Sequence, residues 1–283
     1  MRNSKEAEPF RCGGHDVAGM DEKTAKRLGF SFPQVHLQRE EMARFAEAVK
    51  KEQGNRFCVL PFCHTVEGEA LGGNVNYGDA RFGPRAGKAV CCRAEEVLAL
   101  PPIDYSAGRI REGLDACAEL TRKGEAVIFN MSGPLTILNV LMETEDVFRL
   151  LTDLKREDGA AQHVFWKLKE ELLRFAEKII EAGAVGISYA DPLCGRDIIG
   201  PQLNELLTEQ FSLPFLFAIA SLLRRKAKEQ QKTPPFFFLC PRLLPEAACG
   251  MLRAADAEQI FVSGGCIKSL LCGEGLQVGE VIK

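Results

Sequence analysis

The chain has 283 residues, 46% of them apolar and 27% charged, a globular composition that excludes wholesale disorder and is long enough for two small domains or one large α/β barrel. Lys and Arg total 36 and Asp and Glu 39, a formal net charge of −3, which is a poor match to the concentrated basic field of a nucleic-acid binder. The longest apolar run, Phe211 to Leu223 with Pro214 inside it, falls short of the about 20 residues a bilayer span needs.

In chain order, the opening octet MRNSKEAE has no apolar stretch, so no secretory signal is expected there. Residues 1–55 read as a helical preface. Within it, Met42, Phe45, Ala46 and Val49 form one apolar stripe on the charged segment Glu40–Lys51. Gly54-Asn55 ends that helix, and Phe57–Phe62 reads as a buried strand. Residues 72–104, rich in Gly and Pro, predict an extended irregular excursion.

From Ser106 onward the pattern becomes regular. Ile110–Arg122 predicts an amphipathic helix closed by Gly124, and Ala126–Met131 a strand running into the turn Ser132-Gly133-Pro134. Leu135–Met142, Val147–Leu154 and Val164–Ala182 predict helices, the last burying Phe165, Leu168, Leu172, Phe175, Ile179 and Ile180. Ala184–Ala190 predicts a strand entering Asp191-Pro192. Leu203–Gln210 and Phe215–Lys228 follow as helices, Phe236–Cys240 as a strand, Pro245–Ala255 as a helix and Gln259–Ser263 as a strand. Short apolar strands alternating with amphipathic helices predict parallel βα units. Neither G-x-G-x-x-G nor a phosphate-loop motif is present, which favours a (β/α)8 barrel over a dinucleotide-binding sheet. The expected organisation is a helical extension over 1–55 and a barrel over 56–283, forming one domain.

Polar residues at the C-terminal ends of barrel strands line the active-site mouth. The candidates are Cys63, His64 and Glu67 after the first strand, Asn130 on the next, Tyr189 and Asp191, then Cys240 and Cys266. Sequence-distant thiols converging there suit a thiophilic ion such as zinc. A cysteine at a buried strand end is nonetheless more often a packing residue, and the eleven cysteines first of all indicate a reducing, cytoplasmic setting. Cys58, Cys91, Cys92, Cys117, Cys249 and Cys272 read as structural, and Cys12 with His15 has chelate spacing near the N-terminus. Asp191 is either a helix cap or a polar contact to substrate. Arg81 and Arg85 are either solvated or clamps for an anion.

Pro61-Phe62-Cys63-His64-Thr65-Val66-Glu67-Gly68-Glu69-Ala70-Leu71-Gly72, then Ser132-Gly133-Pro134-Leu135-Thr136, then Ala190-Asp191-Pro192 and Ile198-Ile199-Gly200-Pro201, come in an order that resembles the uroporphyrinogen decarboxylase superfamily, and within it the corrinoid-dependent, methylcobamide:coenzyme M type methyltransferases. The resemblance runs from about residue 25 to the end. It implies a (β/α)8 barrel with a helical N-terminal extension. It also implies transfer of a methyl group from a methylated corrinoid protein, docked over the mouth, to a small thiol or similar acceptor, with no role for nucleic acid or membrane.

The arginine-rich R-Q-A-G-R motif of the decarboxylases is missing, which disfavours decarboxylation. The methyltransferases bind zinc through His-x-Cys and a later Cys. Here the first falls on Phe238-Leu239-Cys240 and the second on Cys266, so a phenyl ring stands where the family has imidazole, and Pro241 stands where it usually has Gly. The resemblance thus implies Cys240 and Cys266 as zinc ligands with His64 or Cys63 completing the set, Glu67 and Asp191 as orienting catalytic groups, and Asn130 and Tyr189 on the substrate. Two alternatives remain: a non-catalytic corrinoid- or tetrapyrrole-binding relative that has lost the zinc site, or a cofactor-free decarboxylase.

Overall fold

A computed structural model describes residues 22–240, Leu243 and 260–262. The described residues open with three helices, α1 (Glu22–Arg27), α2 (Gln34–Leu37) and α3 (Arg39–Gln53), ahead of β1 (Cys58–Leu60). Met42, Phe45, Ala46 and Val49 are buried on α3, as the stripe predicts. Gly54, at φ +66°, terminates the helix by accepting the left-handed conformation that a side chain disfavours.

After β1 come α4 (Val66–Ala70), the hairpin β2 (Val75–Asn76) and β3 (Arg85–Ala86), α5 (Ala94–Ala99) and α6 (Gly108–Arg122). The stretch expected to be irregular therefore holds a hairpin and a helix. Its Gly and Pro residues set the turns between these short pieces, which are too brief to show a period. Then follow β4 (Val127–Ser132), α7 (Pro134–Leu141), α8 (Thr144–Lys155), α9 (Gly159–Glu181), β5 (Gly186–Ala190), α10 (Arg196–Ile199), α11 (Pro201–Leu207), α12 (Leu213–Gln230), β6 (Phe236–Leu239) and β7 (Phe261–Val262). Asp158 caps α9 by accepting from the N–H groups of Ala160 and Ala161 at 2.9 and 3.1 Å.

Five strands form one parallel sheet in the order β1-β4-β5-β6-β7. This is the α/β parallel architecture that the alternation of elements predicts. Register fixes two faces. Leu60, Phe129, Ile187 and Phe237 lie opposite one another on one row, and this row meets the helices: Phe129 packs edge-on to Phe175 of α9, and Phe237 and Tyr189 pack on Phe215 of α12. The alternate residues, Asn130, Ser188 and Phe238, lie opposite one another on the other face. The main apolar core thus sits between sheet and helices.

A five-residue π turn, Thr208–Ser212, joins α11 to α12 into one helical stretch. Pro214 sits in the first turn of α12, where its missing N–H costs least. The joined stretch Pro201–Gln230 is long and apolar enough to span a bilayer by length and composition, although the uninterrupted apolar run is not; 56% of its most apolar window is buried against the rest of the fold, as in a core helix. Residues 1–21, the expected helix at 245–255, and Cys12, His15, Cys249, Cys266 and Cys272 lie outside the described residues.

Candidate functional site at the strand ends

β1, β4, β5 and β6 are parallel, so their C-terminal ends share one edge of the sheet, and that edge gathers the polar side chains. Asn130 of β4 donates from Nδ2 to the carbonyl of Pro61 at 2.7 Å, tying β4 to the segment that leaves β1. That segment carries His64, whose Nδ1 is 3.4 Å from the hydroxyl of Ser132. It leads into α4, where Glu67 accepts from the Ser132 N–H at 2.7 Å. Glu67 is fully buried, and burial raises its carboxyl above the usual range, opposed mainly by the Ser132 N–H. Glu67, His64 and Ser132 therefore form one connected group on β1-α4 and β4.

Asp191, at the end of β5, faces the start of α7. Its carboxylate accepts from Leu135 N–H at 2.9 Å, Thr136 N–H at 3.0 Å and the Thr136 hydroxyl at 2.7 Å. These are orphan donors of a helix N-terminus, so Asp191 caps α7 from another strand. Its pKa is pushed up to about 6 by burial, and the three hydrogen bonds act against that rise. Gly133 allows the approach: a Cβ there would lie 2.4 Å from Asp191 Cβ. The turn Ser132-Gly133-Pro134 is thus shaped around the carboxylate.

The remaining candidates divide between the two faces. Tyr189 is not brought to the mouth. Its ring lies on the helix side, 5.2 Å from Phe215 and 5.6 Å from Phe237, and its hydroxyl has no hydrogen-bond partner among the described residues. Alternation in β5 explains this: Tyr189 shares a face with Ile187, opposite to Ser188. Cys240 follows β6, with its N–H on the carbonyl of Tyr189 at 3.0 Å, and its thiol is half-buried. Phe238 lies on the inner face, where its ring comes within 3.0 Å of a Cβ built on Gly186. On the sheet face that it shares with Ser188, Phe238 therefore places a ring that cannot ligate a metal.

β4 and β5 separate Cys240 from His64, and no cluster of three His, Cys, Asp or Glu side chains suited to a metal occurs among the described residues. Cys58 and Cys117 are buried thiols pushed up to about 12 by burial.

Sequence reasoning missed Arg109. It projects from the first turn of α6, nearly buried, and donates to Cys63 Sγ at 3.1 Å and to the Thr65 hydroxyl at 2.7 Å. It also pairs with Glu69 and lies 5.4 Å from the centroid of the Tyr77 ring. One guanidinium thus fastens three positions around the His64–Glu67 turn. His36 sits edge-on to Phe62, and burial, then the Arg109 charge, lower its pKa to about 4, so it stays neutral. No local pattern reports this cluster, because Arg109 lies 40 or more residues from Glu69, Thr65 and Cys63 in the chain. The only available signal was an arginine at an otherwise apolar helix face.

Chemically, the edge offers two buried carboxyl groups that hold protons more tightly than usual, an imidazole on a hydroxyl, and a thiol two strands away. Such a set has the polar groups to orient a small polar molecule.

The profile of the family described as "Uroporphyrinogen decarboxylase (URO-D)" matches residues 16–256. Among characterised proteins, the chain is 28% identical over 177 residues to a methylcobamide:CoM methyltransferase, MtaA, of Methanosarcina barkeri, covering 62% of this chain and 51% of that protein. It is 25% identical over 199 residues to a methylcobamide:CoM methyltransferase, MtbA, of Methanosarcina acetivorans, covering 66% and 54%. The chain spans about half the length of the curated relatives it matches. A solved methyltransferase from Methanosarcina mazei superposes with a TM-score of 0.60 at 24% identity, over 76% of this chain and 60% of that one, a likeness of fold.

Proposed function

The chain belongs to the uroporphyrinogen decarboxylase family, and from that premise we propose that it is a methyltransferase of the corrinoid-dependent kind, with the closed (β/α)8 barrel of its structural neighbour and residues 56–283 as its body. The methyl donor is a methylated corrinoid held by a partner protein, and the acceptor is a small thiol, in a reducing cytoplasm. One observation carries the reading: the strand-end edge on which Ser132, with Glu67 and His64, lies on the same side as Cys240, in a chain similar over about two thirds of its length to methylcobamide:CoM methyltransferases.

In the transfer, the acceptor sulfur forms a bond to the methyl carbon while the carbon–cobalt bond breaks, and the bonding pair stays on cobalt. The acceptor must first lose its proton. His64, beside the Ser132 hydroxyl, takes that proton, and buried Glu67 holds the Ser132 backbone so that the pair keeps its geometry. Asn130 holds the segment carrying His64 at its carbonyl end. Asp191 fixes the start of α7 and thereby the wall of the mouth. These roles use side chains alone.

Zinc enters the proposal through Cys240 and Cys266 as thiolate ligands; His64, separated from Cys240 by β4 and β5, stays the proton acceptor. A zinc ion would supply deprotonation of the acceptor thiol at neutral pH. The described residues do not complete such a site, since Phe238 fills the inward position, so no step is routed through the ion. Phe238 also favours a second reading, a relative that binds the corrinoid protein without turnover.

The test is incubation with methylcob(III)alamin and coenzyme M, followed by loss of the methylcobalamin absorbance, together with metal analysis of wild type and Cys240→Ser. Protein-dependent demethylation that falls in Cys240→Ser along with bound zinc supports the reading. Wild-type protein that leaves methylcobalamin intact contradicts it and favours the binding role.

A further inference from the structure

The segment between α4 and α5 carries a feature that methyl transfer at the strand ends does not use. Its hairpin, β2 and β3, is fastened to the site at its root. The Tyr77 hydroxyl hydrogen-bonds Glu69, Glu69 pairs with Arg109, and Arg109 reaches Cys63 at 3.1 Å. The hairpin therefore rises from the same end of the sheet as His64, Ser132 and Asp191.

The tip has a fixed shape. Asp79 donates its N–H to the Phe82 carbonyl at 2.8 Å, and its carboxylate accepts from the N–H groups of Arg81 and Phe82 at 2.8 and 2.9 Å. Gly78 adopts φ +65°, and a Cβ there would fall 1.8 Å from the Phe82 carbonyl oxygen, so the turn requires glycine. On this rigid turn Phe82 stands 48% exposed. The guanidinium groups of Arg81 and Arg85 each lie 5.1 Å from its ring centroid, and neither has an ion-pair partner among the described residues.

Between Gly78 and Lys88 there are three cations, Arg81, Arg85 and Lys88, against one carboxylate, Asp79. The tip is thus locally positive on a chain whose net charge is −3. An aromatic ring bracketed by two arginines, with Asp79 as the one carboxylate near them, has the composition of a binding hot spot, and holding it in one conformation removes ordering cost on binding.

We propose that the tip Arg81–Phe82–Arg85 is the docking point for an acidic face of the corrinoid-carrying partner protein. The proposal rests on the methyl-transfer reading and says where the partner sits: Phe82 enters an apolar depression, and the two arginines meet carboxylates around it. Because the hairpin root is tied through Arg109 to the turn bearing His64, docking at the tip brings the partner over the strand ends. Electrostatic pairing of this kind acts chiefly on encounter rate and weakens with salt.

The experiment measures binding of a purified methylated corrinoid protein from a Methanosarcina methyl-transfer system to immobilised wild type, Phe82→Ala and the double variant Arg81→Glu/Arg85→Glu. Each variant is expected to bind at least about tenfold more weakly, with the salt dependence largely lost in the double variant. Methyl transfer from free methylcob(III)alamin is expected to match wild type in both, because the tip touches none of the strand-end residues. Variant affinities within about twofold of wild type overturn the docking proposal, as does a wild type that does not bind. Failure of free methylcob(III)alamin to react counts against the methyl-transfer reading alone, since binding is read separately.

Discussion

Asp191 makes the sharpest prediction about the site. Its carboxyl is buried and its pKa is raised from 3.8 to about 6. For an acid raised on folding, the sign follows directly. Between about pH 4 and pH 6 the folded chain keeps a proton that the unfolded chain has released, so stability falls as pH rises through that window. Above the folded pKa the whole cost is present, about 3 kcal/mol for a shift of about two units; below about pH 4 it vanishes.

Asp191→Asn removes the titration and keeps the shape. It also replaces one of the two acceptor oxygens that face Leu135 and Thr136, an offset of about 1–3 kcal/mol that does not depend on pH. The assay is urea unfolding of both proteins at about pH 5 and about pH 7.5. The stability of wild type minus that of Asp191→Asn is expected to drop by about 1 kcal/mol between the two pH values, as two single-site titration curves require. A difference that stays constant with pH would refute the reasoning, since it would mean that Asp191 is ionised at little cost and is more open to water than the capping geometry allows.

Three further outcomes are expected. His36, with its pKa depressed to about 4, contributes stability that is present above about pH 6.5 and lost as pH falls from there through the folded value; the stability of wild type minus that of His36→Phe is therefore expected to fall by about 2 kcal/mol between about pH 7.5 and about pH 5, as urea unfolding of both will show. Gly133→Ala forces a Cβ to within 2.4 Å of Asp191 Cβ and is expected to cost about 1–3 kcal/mol, measured by thermal unfolding; an unchanged midpoint would mean that the turn has room. Phe238→His places imidazole on the inner face two residues before Cys240 and is expected to raise zinc affinity at least about tenfold in competition with a chromogenic chelator. Equal affinities would show that other groups hold the ion.

The strands were legible where apolar runs were short and bounded, as Val127–Ser132 and Gly186–Ala190 show. The long helix α9 was legible from its 3.6-residue stripe. Two kinds of information were not local. Face assignment needs register: Asn130 and Tyr189 both end apolar runs, yet pairing of Asn130 with Ser188 places Tyr189 on the helix side. Partner choice needs the fold, since the three donors that Asp191 accepts lie 55 and 56 residues away, and the Arg109–Cys63 contact spans 46. Asp191 could be read as a cap or as a substrate contact, and only the start of α7 against it distinguishes the two. The hairpin within 72–104 escaped for a simpler reason, because two-residue strands have no period to read.

The central claim is methyl transfer to a thiol, and tracking the methyl group itself tests it most directly. With methylcob(III)alamin carrying a deuterated methyl group and coenzyme M as acceptor, mass spectrometry of the thiol after incubation with the protein is expected to show the labelled thioether. The labelled product should form at a rate that scales with protein concentration and falls in His64→Ala. Unlabelled thiol at every protein concentration, with the methylcobalamin recovered whole, would contradict the account.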